Sequence, residues 1–327
     1  MSTPIHIKPL VAARVGVVGL NYWGPNLVRN FAALSDLSWV CDLDEQHLAP
    51  IAERYPSARA TTSFDDLLAD DSLDAVVIAT PVPTHYALAK QALEAGKHVF
   101  VEKPPAMRAA EMDELVQLAA KQDRVLMPGH LLLYHPGVLK VKELIDEGEL
   151  GDVLCVYGNR VNLGIVRSNE NALWSLGVHD LSVILYFLDE DPELATAQGS
   201  ASIHPGVEDV VFCFLRFPSG KIAHMHLSWL DPNKMRKMTV VGREKMVVFD
   251  DMEPERKVTV YEKRAGASGE LYSGDISIPK ISVAEPLRLE CSYFLELIDG
   301  QHDKAKVARD GARVVRALEM LTDSLNG

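Results

Sequence analysis

Residues 15–24 read VGVVGLNYWG, a short apolar run followed by a turn framed by glycines. The run Val15–Val18 is rich in β-branched residues and predicts a buried strand. Gly19 and Gly24 fit the outer positions of a G-x-G-x-x-G frame, with Asn21 at the middle position, and helical spacing begins directly after the turn,. A strand, a glycine turn and a helix in this order predict the start of an α/β sheet with a phosphate-binding turn.

Apolar runs and helical patterns alternate through the rest of the first third of the chain. The runs that predict strands are Leu37–Cys41, Ala75–Ala79, His98–Val101 and Val125–Met127. The segments with helical spacing are 44–55, 84–95 and 109–122,. Such alternation indicates right-handed βαβ units in a doubly wound parallel (Rossmann) sheet, with helices on both faces.

The pattern changes after residue 128, where turn residues separate pairs of alternating runs. Two hairpins are predicted, at 211–217 with 222–230 and at 238–241 with 246–250, together with a strand at 258–261,. Helices are predicted at 134–147, 173–188, 287–298 and 305–321, and a mobile loop at 265–275,. The predicted organisation is a Rossmann domain over 1–128 and an α/β domain with an open, mainly antiparallel sheet over 129–327, whose closing helices pack back on the first domain.

Composition narrows the class of protein. The 327 residues are 47% hydrophobic and 24% charged, as in globular proteins, and the net charge of −13 argues against nucleic acid as a partner,. No two of the four cysteines form a C-x-x-C pair, and neither a signal peptide nor a membrane span is evident,. We expect a cytoplasmic protein without a membrane partner and without a metal site.

The turn carries the first functional hypothesis. Backbone N–H groups of Tyr22 and Trp23, at a helix N-terminus, would face a pyrophosphate. Asn21 departs from the glycine pattern, but asparagine tolerates a left-handed backbone. Asp42 follows the second strand, where a carboxylate accepts hydrogen bonds from ribose hydroxyls and repels a 2′-phosphate. With Gly19 and Gly24 these residues predict NAD as the cofactor.

Two residues further along are candidates for proton chemistry. Lys103 follows the strand that ends at Val101, at the edge of a parallel sheet where ligands bind, and a lysine there can donate to a substrate hydroxyl. His179 titrates near neutral pH and suits proton transfer. Spacing alone leaves Lys103 equally compatible with a surface position, and a core or capping role for His179 is the more frequent one.

Four segments together carry a resemblance. GLNYWGPN (19–26), ATPVPTH (79–85), GKHVFVEKPP (96–105) and ALWSLGVHD (172–180) resemble the glucose–fructose oxidoreductase/inositol dehydrogenase family (Gfo/Idh/MocA). The resemblance spans the whole chain, and the Glu-Lys-Pro element is its specific part. Within the family, residues 22–31 and 159–168 are most similar to sugar-nucleotide 3-dehydrogenases.

The resemblance implies roles for individual residues. Lys103 would contact the reacting hydroxyl beside the nicotinamide, and His179 would be the general base. The residues implied to line the cofactor cleft are Thr80, Thr84, His85, Glu102 and Lys103. The family often has an aspartate four residues before the histidine, where this chain has Ser175, which cannot carry the negative charge that would stabilise a protonated histidine.

Substrate contacts are expected in the segment that leads to His179. The candidates are Tyr134, Arg160, Asn162, Arg167, Asn171 and Trp174, since arginine forks match phosphate oxygens and amides suit a sugar. A solvated loop and core aromatic residues are the alternative. His224 and His226 share one face of a strand without an evident third metal ligand. An apolar sheet face left uncovered predicts a homodimer or homotetramer.

Three functional interpretations stay open at this point. The first is NAD-dependent oxidation of the C3 hydroxyl of a UDP-linked N-acetylhexosamine, or its uronate, to a 3-keto sugar that an aminotransferase consumes. The second keeps the chemistry but uses an inositol or a free sugar, which has no diphosphate for Arg160 and Arg167 to bind. The third is a non-catalytic dinucleotide-binding regulator, since fold does not dictate function.

Overall fold

A computed structural model describes residues 13–168, 170–266 and 268–326, which fall into two compact units. The first unit holds the described residues up to His130 together with Glu285–Val315. The second unit holds Leu131–Ala284 and the described residues from Arg316 onward. The C-terminal segment therefore contributes residues to both units.

Six parallel strands form the sheet of the first unit. They are β1 (Arg14–Val18), β2 (Asp36–Cys41), β3 (Arg59–Thr61), β4 (Ala75–Ile78), β5 (His98–Glu102) and β6 (Leu126–Gly129). Their order is β3-β2-β1-β4-β5-β6, so the predicted doubly wound parallel sheet is confirmed,. Strand β3 was not among the predicted strands because its three residues are short of apolar character and partly exposed.

Helices cover both faces of this sheet. They are α1 (Gly24–Leu34), α2 (Glu45–Arg54), α3 (Phe64–Leu68), α4 (His85–Glu94), α5 (Ala109–Lys121), α8 (Pro286–Ile298) and the first part of α9 (Lys304–Asn326). On one face, the ring of Phe100 packs edge-on against Phe31 of α1 and Phe294 of α8, with centroids 6.2 and 5.7 Å away. Because side chains alternate along a strand, Glu102 lies on this same face of β5.

Eight strands form the sheet of the second unit. They are β7 (Val153–Val161), β8 (Leu194–Ser200), β9 (Val210–Arg216), β10 (Ile222–Ser228), β11 (Met235–Gly242), β12 (Met246–Asp250), β13 (Val258–Ala265) and β14 (Leu271–Ser277). Their order is β14-β13-β12-β11-β7-β10-β9-β8, and every pair except β7 with β10 is antiparallel. The predicted mainly antiparallel sheet and both hairpins are confirmed.

The predicted mobile loop at 265–275 was wrong over its second half. Leu271–Ser277 forms strand β14 and pairs with β13, although its side chains are almost all exposed. An edge strand without a buried face lacks the apolar alternation by which strands are recognised in a sequence. Residue 267 of the predicted loop lies outside the described residues.

One face of the second sheet packs against helices α6 (Pro136–Asp146) and α7 (Val178–Leu188). The helix predicted at 173–188 is divided, because Leu173–Gly177 forms a π-helical turn before α7. No helix of the described residues is long and apolar enough to cross a membrane. Within residues 13–168, 170–266 and 268–326, no group of three or more histidine, cysteine, aspartate or glutamate side chains could hold a metal ion.

Candidate functional site

The turn between β1 and α1 requires its two glycines. Gly19 has φ +89°, and a Cβ there would lie 2.6 Å from the carbonyl carbon of Ala79. A Cβ on Gly24 would lie 1.8 Å from the carbonyl oxygen of Gly19. Asn21 is not among the described residues with positive φ, so the departure from glycine causes no backbone strain. The first turn of α1 carries no acidic residue, which leaves a helix N-terminus suited to an anion,.

Asp42 is held against this turn. Its Oδ2 accepts a hydrogen bond from the Leu20 N–H at 2.6 Å, and its Oδ1 accepts one from the Asp44 N–H at 2.9 Å. The Gly19 N–H also donates to the Cys41 carbonyl at the end of β2. The acid and the turn are therefore tied together at the carboxyl edge of the sheet, where a carboxylate disfavours a 2′-phosphate.

Three of the predicted cofactor residues lie between the end of β4 and the first residue of α4. The hydroxyls of Thr80 and Thr84 are 2.7 Å apart, and both are partly accessible. His85 is buried, with its ring nitrogens 2.8 Å from the Pro104 carbonyl and 2.7 Å from the Thr80 carbonyl. Burial lowers the pKa of His85. Its ring therefore joins the loops after β4 and β5 and supports their position.

Glu102 and Lys103 stand at the carboxyl end of β5. The Glu102 carboxylate accepts hydrogen bonds from the side chain of Trp23 and from the Lys103 backbone N–H. Burial raises the pKa of Glu102 to about 7, and the nearby Lys103 opposes that rise. Lys103 thus follows a strand whose last residue contacts the dinucleotide-binding turn through Trp23.

Two further ionisable residues of this unit were missed by the sequence reasoning. His130 directly follows β6 and is buried, and burial together with Lys103 lowers its pKa to about 4. Glu290 of α8 has no exposed surface. A signal existed for both: His130 ends a buried strand, and Glu290 lies three residues after Leu287 and four before Phe294, on the apolar side of its helix,.

Arg160 forms a buried ion pair in the second unit. Its Nε and Nη2 lie 2.8 and 2.7 Å from Oδ1 of Asp180, and the two side chains are 8% and 4% exposed. The pair joins β7 to α7. Two of the nitrogens that were expected to meet a diphosphate are occupied by this carboxylate, and the predicted role of Arg160 in substrate binding stays a prediction.

The other predicted substrate residues have varied surroundings. Arg167 is ion-paired with Glu170 at 2.7 Å and remains 44% exposed. Asn171 donates to Glu208 at 2.7 Å and accepts from the Trp174 N–H at 3.1 Å.

The remaining predicted substrate residues are Trp174, Tyr134 and Asn162. Trp174 is buried, and its Nε1 donates to the Thr322 hydroxyl at 3.0 Å. Tyr134 ends a 3-10 turn and is half-buried. Asn162 follows β7 and turns its amide toward Gly164. Arg167 is the predicted substrate residue with the most accessible cationic group.

His179 is the second residue of α7. The Ser182 hydroxyl donates to the His179 carbonyl at 2.7 Å. Ser175 lies in the preceding π-helical turn, buried, and its Oγ has no hydrogen-bond partner in the described part of the chain. The neighbouring Asp180 is engaged by Arg160, so neither residue supplies a free carboxylate in this segment. Lys103 belongs to the first unit and His179 to the second, and their joint action stays a prediction.

Comparison with known proteins gives the affiliation of both units. A model of the "Oxidoreductase family, NAD-binding Rossmann fold" matches residues 13–130, and a model of the "GFO/IDH/MocA C-terminal domain" matches residues 138–248. A UDP-N-acetylglucosamine 3-dehydrogenase of Acidithiobacillus ferrooxidans is 27% identical over 258 residues, 79% of each chain. Its solved structure matches with a TM-score of 0.86 at 25% identity, covering 97% of this chain and 98% of that one.

Two further proteins are similar to this chain. The structure of GenD2 from gentamicin A biosynthesis, in complex with NAD, matches with a TM-score of 0.83 and 27% identity, over 100% of this chain and 97% of that one. A myo-inositol 2-dehydrogenase of Thermotoga maritima is 27% identical over 221 residues, 64% of this chain and 66% of that one. The cofactor of the chain is NAD, and the glycine turn, the acid-free helix N-terminus and Asp42 fit it.

Proposed function

This chain belongs to the Gfo/Idh/MocA family of oxidoreductases, and on that premise we propose that it oxidises the C3 hydroxyl of a UDP-linked N-acetylhexosamine with NAD. The observation that carries the proposal is the joint presence of an NAD cradle and of Lys103 at the carboxyl edge of the same sheet. The sugar nucleotide is supported by the A. ferrooxidans relative. The 3-keto product suits an aminotransferase, which adds an amine to such a carbonyl.

The proposed chemistry divides the two hydrogens of the alcohol. NAD, when bound, supplies the nicotinamide carbon that accepts a hydride from C3. Lys103 donates a hydrogen bond to the C3 oxygen and stabilises the charge that develops there as the O–H bond breaks. His179 accepts the hydroxyl proton, and the carbonyl forms as the C3–H bond breaks.

Ser175 gives this proposal a specific consequence. A buried, neutral hydroxyl cannot offset the charge that His179 gains with the proton, whereas an aspartate at this position would,. The imidazolium is therefore expected to pass its proton on to solvent readily.

A second candidate substrate class is an inositol or a free sugar. Two observations favour this class. Arg160, one of the two arginines expected to bind a diphosphate, is already paired with Asp180, and the T. maritima relative is a myo-inositol 2-dehydrogenase. Arg167 separates the two candidates, since its accessible guanidinium has a role only where the substrate carries phosphate,.

The proposal is tested by following reduced nicotinamide with NAD and three substrates: UDP-N-acetylglucosamine, its uronate and myo-inositol. We expect turnover with a UDP-sugar, and Arg167→Ala is expected to raise its KM about tenfold or more, the cost of a charge-assisted phosphate contact. Arg243→Ala, which removes an exposed arginine paired with Asp152, is the matched control. Turnover with myo-inositol alone would replace the first candidate by the second.

A second copy of the chain is the proposed partner of the uncovered face of the second sheet. On this face the ring of Phe212 stacks on His226 and that of Tyr157 on His224, with centroids 4.4 and 5.0 Å apart. Phe212 is 55% and Phe214 39% exposed. Exposed phenylalanines on the uncovered face of a sheet favour burial against a matching surface, and a homodimer or homotetramer supplies one.

A further inference from the structure

Two glutamates lie where helix α8 packs against strand β5: Glu290 on the helix and Glu102 at the end of the strand. Phe100 and Glu102 share one face of β5, and the ring of Phe294 packs on Phe100,. Glu290 precedes Phe294 by one helical turn and therefore lies on the same side of α8,. Burial, and after it the charge of Glu102, raise the pKa of Glu290.

The two carboxyl groups have unequal surroundings. Glu102 has the Trp23 side chain, the Lys103 N–H and the charge of Lys103 to stabilise an anion. Neither oxygen of Glu290 has a hydrogen-bond partner among the described residues, and the side chain is fully buried. An isolated buried carboxylate is very costly, and two adjacent ones cannot both ionise, so the proton of the pair resides on Glu290.

The other ionisable groups near the two glutamates are either buried and neutral or lie at the surface. The Cys291 thiol on the same helix has its pKa raised, mainly by burial. The buried rings of His130 and His85 have lowered pKa values, mainly through burial. Arg29 and Glu285 form an ion pair at the surface, with each side chain at least 40% exposed.

We propose that Glu290 is a positioning residue that stays protonated and thereby keeps the Glu102–Glu290 pair at one negative charge, which Glu102 carries as the counter-charge of Lys103. A second charge would oppose the ionisation of Glu102 and leave the region with a net negative charge beside the substrate oxygen. The role of Lys103 in this statement rests on the proposed function, whereas the protonation of Glu290 does not.

The protonation state is tested on the enzyme without substrate, by following thermal unfolding of wild type and Glu290→Gln between pH 5 and pH 8. A carboxyl group with a raised pKa in the folded state binds its proton more tightly there, so stability is lost as the pH rises above the ordinary value. Glutamine cannot titrate. The Tm of Glu290→Gln relative to wild type should therefore increase with pH, by about 3–5 °C or more.

Because the Tm of each variant is compared with that of wild type at the same pH, the contributions of other titrating groups to stability cancel. The buried histidines, whose pKa values are lowered, change stability in the opposite direction with pH but are common to both proteins,. Glu290→Met repeats the test with an apolar side chain of similar length and gives the same trend if the first variant folds poorly. Glu53→Gln, a change of an exposed glutamate on α2, should follow wild type at every pH.

Turnover supplies the second readout. With a substrate of wild type identified, Glu290→Gln, which is neutral like a protonated glutamate, should keep the wild-type pH profile of kcat and a KM for NAD within about twofold. Glu102→Gln, which removes the counter-charge of Lys103, should shift that profile. A Tm difference that is constant across the pH range in both Glu290 variants would show an ionised Glu290 and overturn the proposal. A kcat profile that shifts in Glu290→Gln would show that Glu290 titrates during turnover and would overturn the single charge of the pair. A profile that does not shift in Glu102→Gln would refute the influence of the pair on Lys103.

Discussion

The carbonyl oxygen of Gly19 occupies the place where Gly24 would carry a side chain. A Cβ at Gly24 would approach that oxygen to 1.8 Å, far inside van der Waals contact, and the obstacle is backbone that cannot rotate away. The residue thus allows α1 to begin close to β1. The same closeness brings the helix N-terminus to the pyrophosphate position.

Gly24→Ala is therefore expected to destabilise the first unit by about 1–3 kcal/mol or more and to weaken NAD binding. Chemical denaturation and NAD titration measure the two effects. Gly206→Ala is the control, because its φ of +77° is strained for alanine but no atom lies within 4 Å of the added Cβ. An NAD affinity of Gly24→Ala equal to that of the control would contradict the account of the turn.

At the residue scale, the sequence singles out candidates whose surroundings are local, and their roles stay predictions. The glycines, Asp42 and the strand-ending Lys103 could be read from short segments, because a turn and its neighbours are contiguous. The pairing of Arg160 with Asp180 could not, since it depends on how β7 lies against α7. Glu290 was overlooked because its partner Glu102 is distant in sequence.

Strand β7 and helix α7 are joined through a single carboxylate oxygen. Arg160 places two nitrogens on Oδ1 of Asp180, and Gly158 leaves room for that carboxylate, since a Cβ there would lie 3.1 Å from its Oδ2. The helix that carries His179 is thereby fixed to the sheet one residue after the histidine.

Arg160→Met is expected to lower the stability of the second unit by about 3–5 kcal/mol, because it leaves Asp180 buried and unpaired. Arg160→Met combined with Asp180→Leu should recover most of that loss, since it removes both charges. Urea denaturation of the two single variants and the double variant gives the coupling. Additive losses would show that the two side chains do not depend on each other.

Element prediction followed the apolar patterns and failed where they end. The strands of the first sheet other than β3 have buried, nearly continuous apolar runs, and the hairpins of the second alternate cleanly. Strands β3 and β14 have no buried side, and nothing in the residues 173–177 distinguishes a π-helical from an α-helical turn.

The second sheet has one face covered by helices and one face that is left uncovered. Val211, Cys213 and Leu215 of β9 are buried, whereas Phe212 and Phe214 between them are exposed. This alternation was visible in the sequence. The number of copies that meet on such a face depends on its curvature and symmetry, which no sequence pattern specifies.

Phe212→Asp is expected to shift the protein toward the monomer, because a charge buried in an apolar interface loses its hydration on association. Sedimentation velocity across a range of concentrations measures the shift. Met252→Asp, a change of another exposed apolar residue in the turn after β12, should leave the assembly unchanged. A wild type that is already monomeric at every concentration would end the proposal for this face.

Turnover, measured together with NAD binding, tests the proposed roles of Lys103 and His179 most directly. Lys103→Ala and His179→Ala should each lower kcat at least about 10²–10⁴-fold, the usual contribution of a positioned acid or base, while NAD still binds. Lys90→Ala and His302→Ala remove an amine and an imidazole from surface ion pairs and should leave kcat unchanged. Undiminished turnover in both site variants would contradict the account.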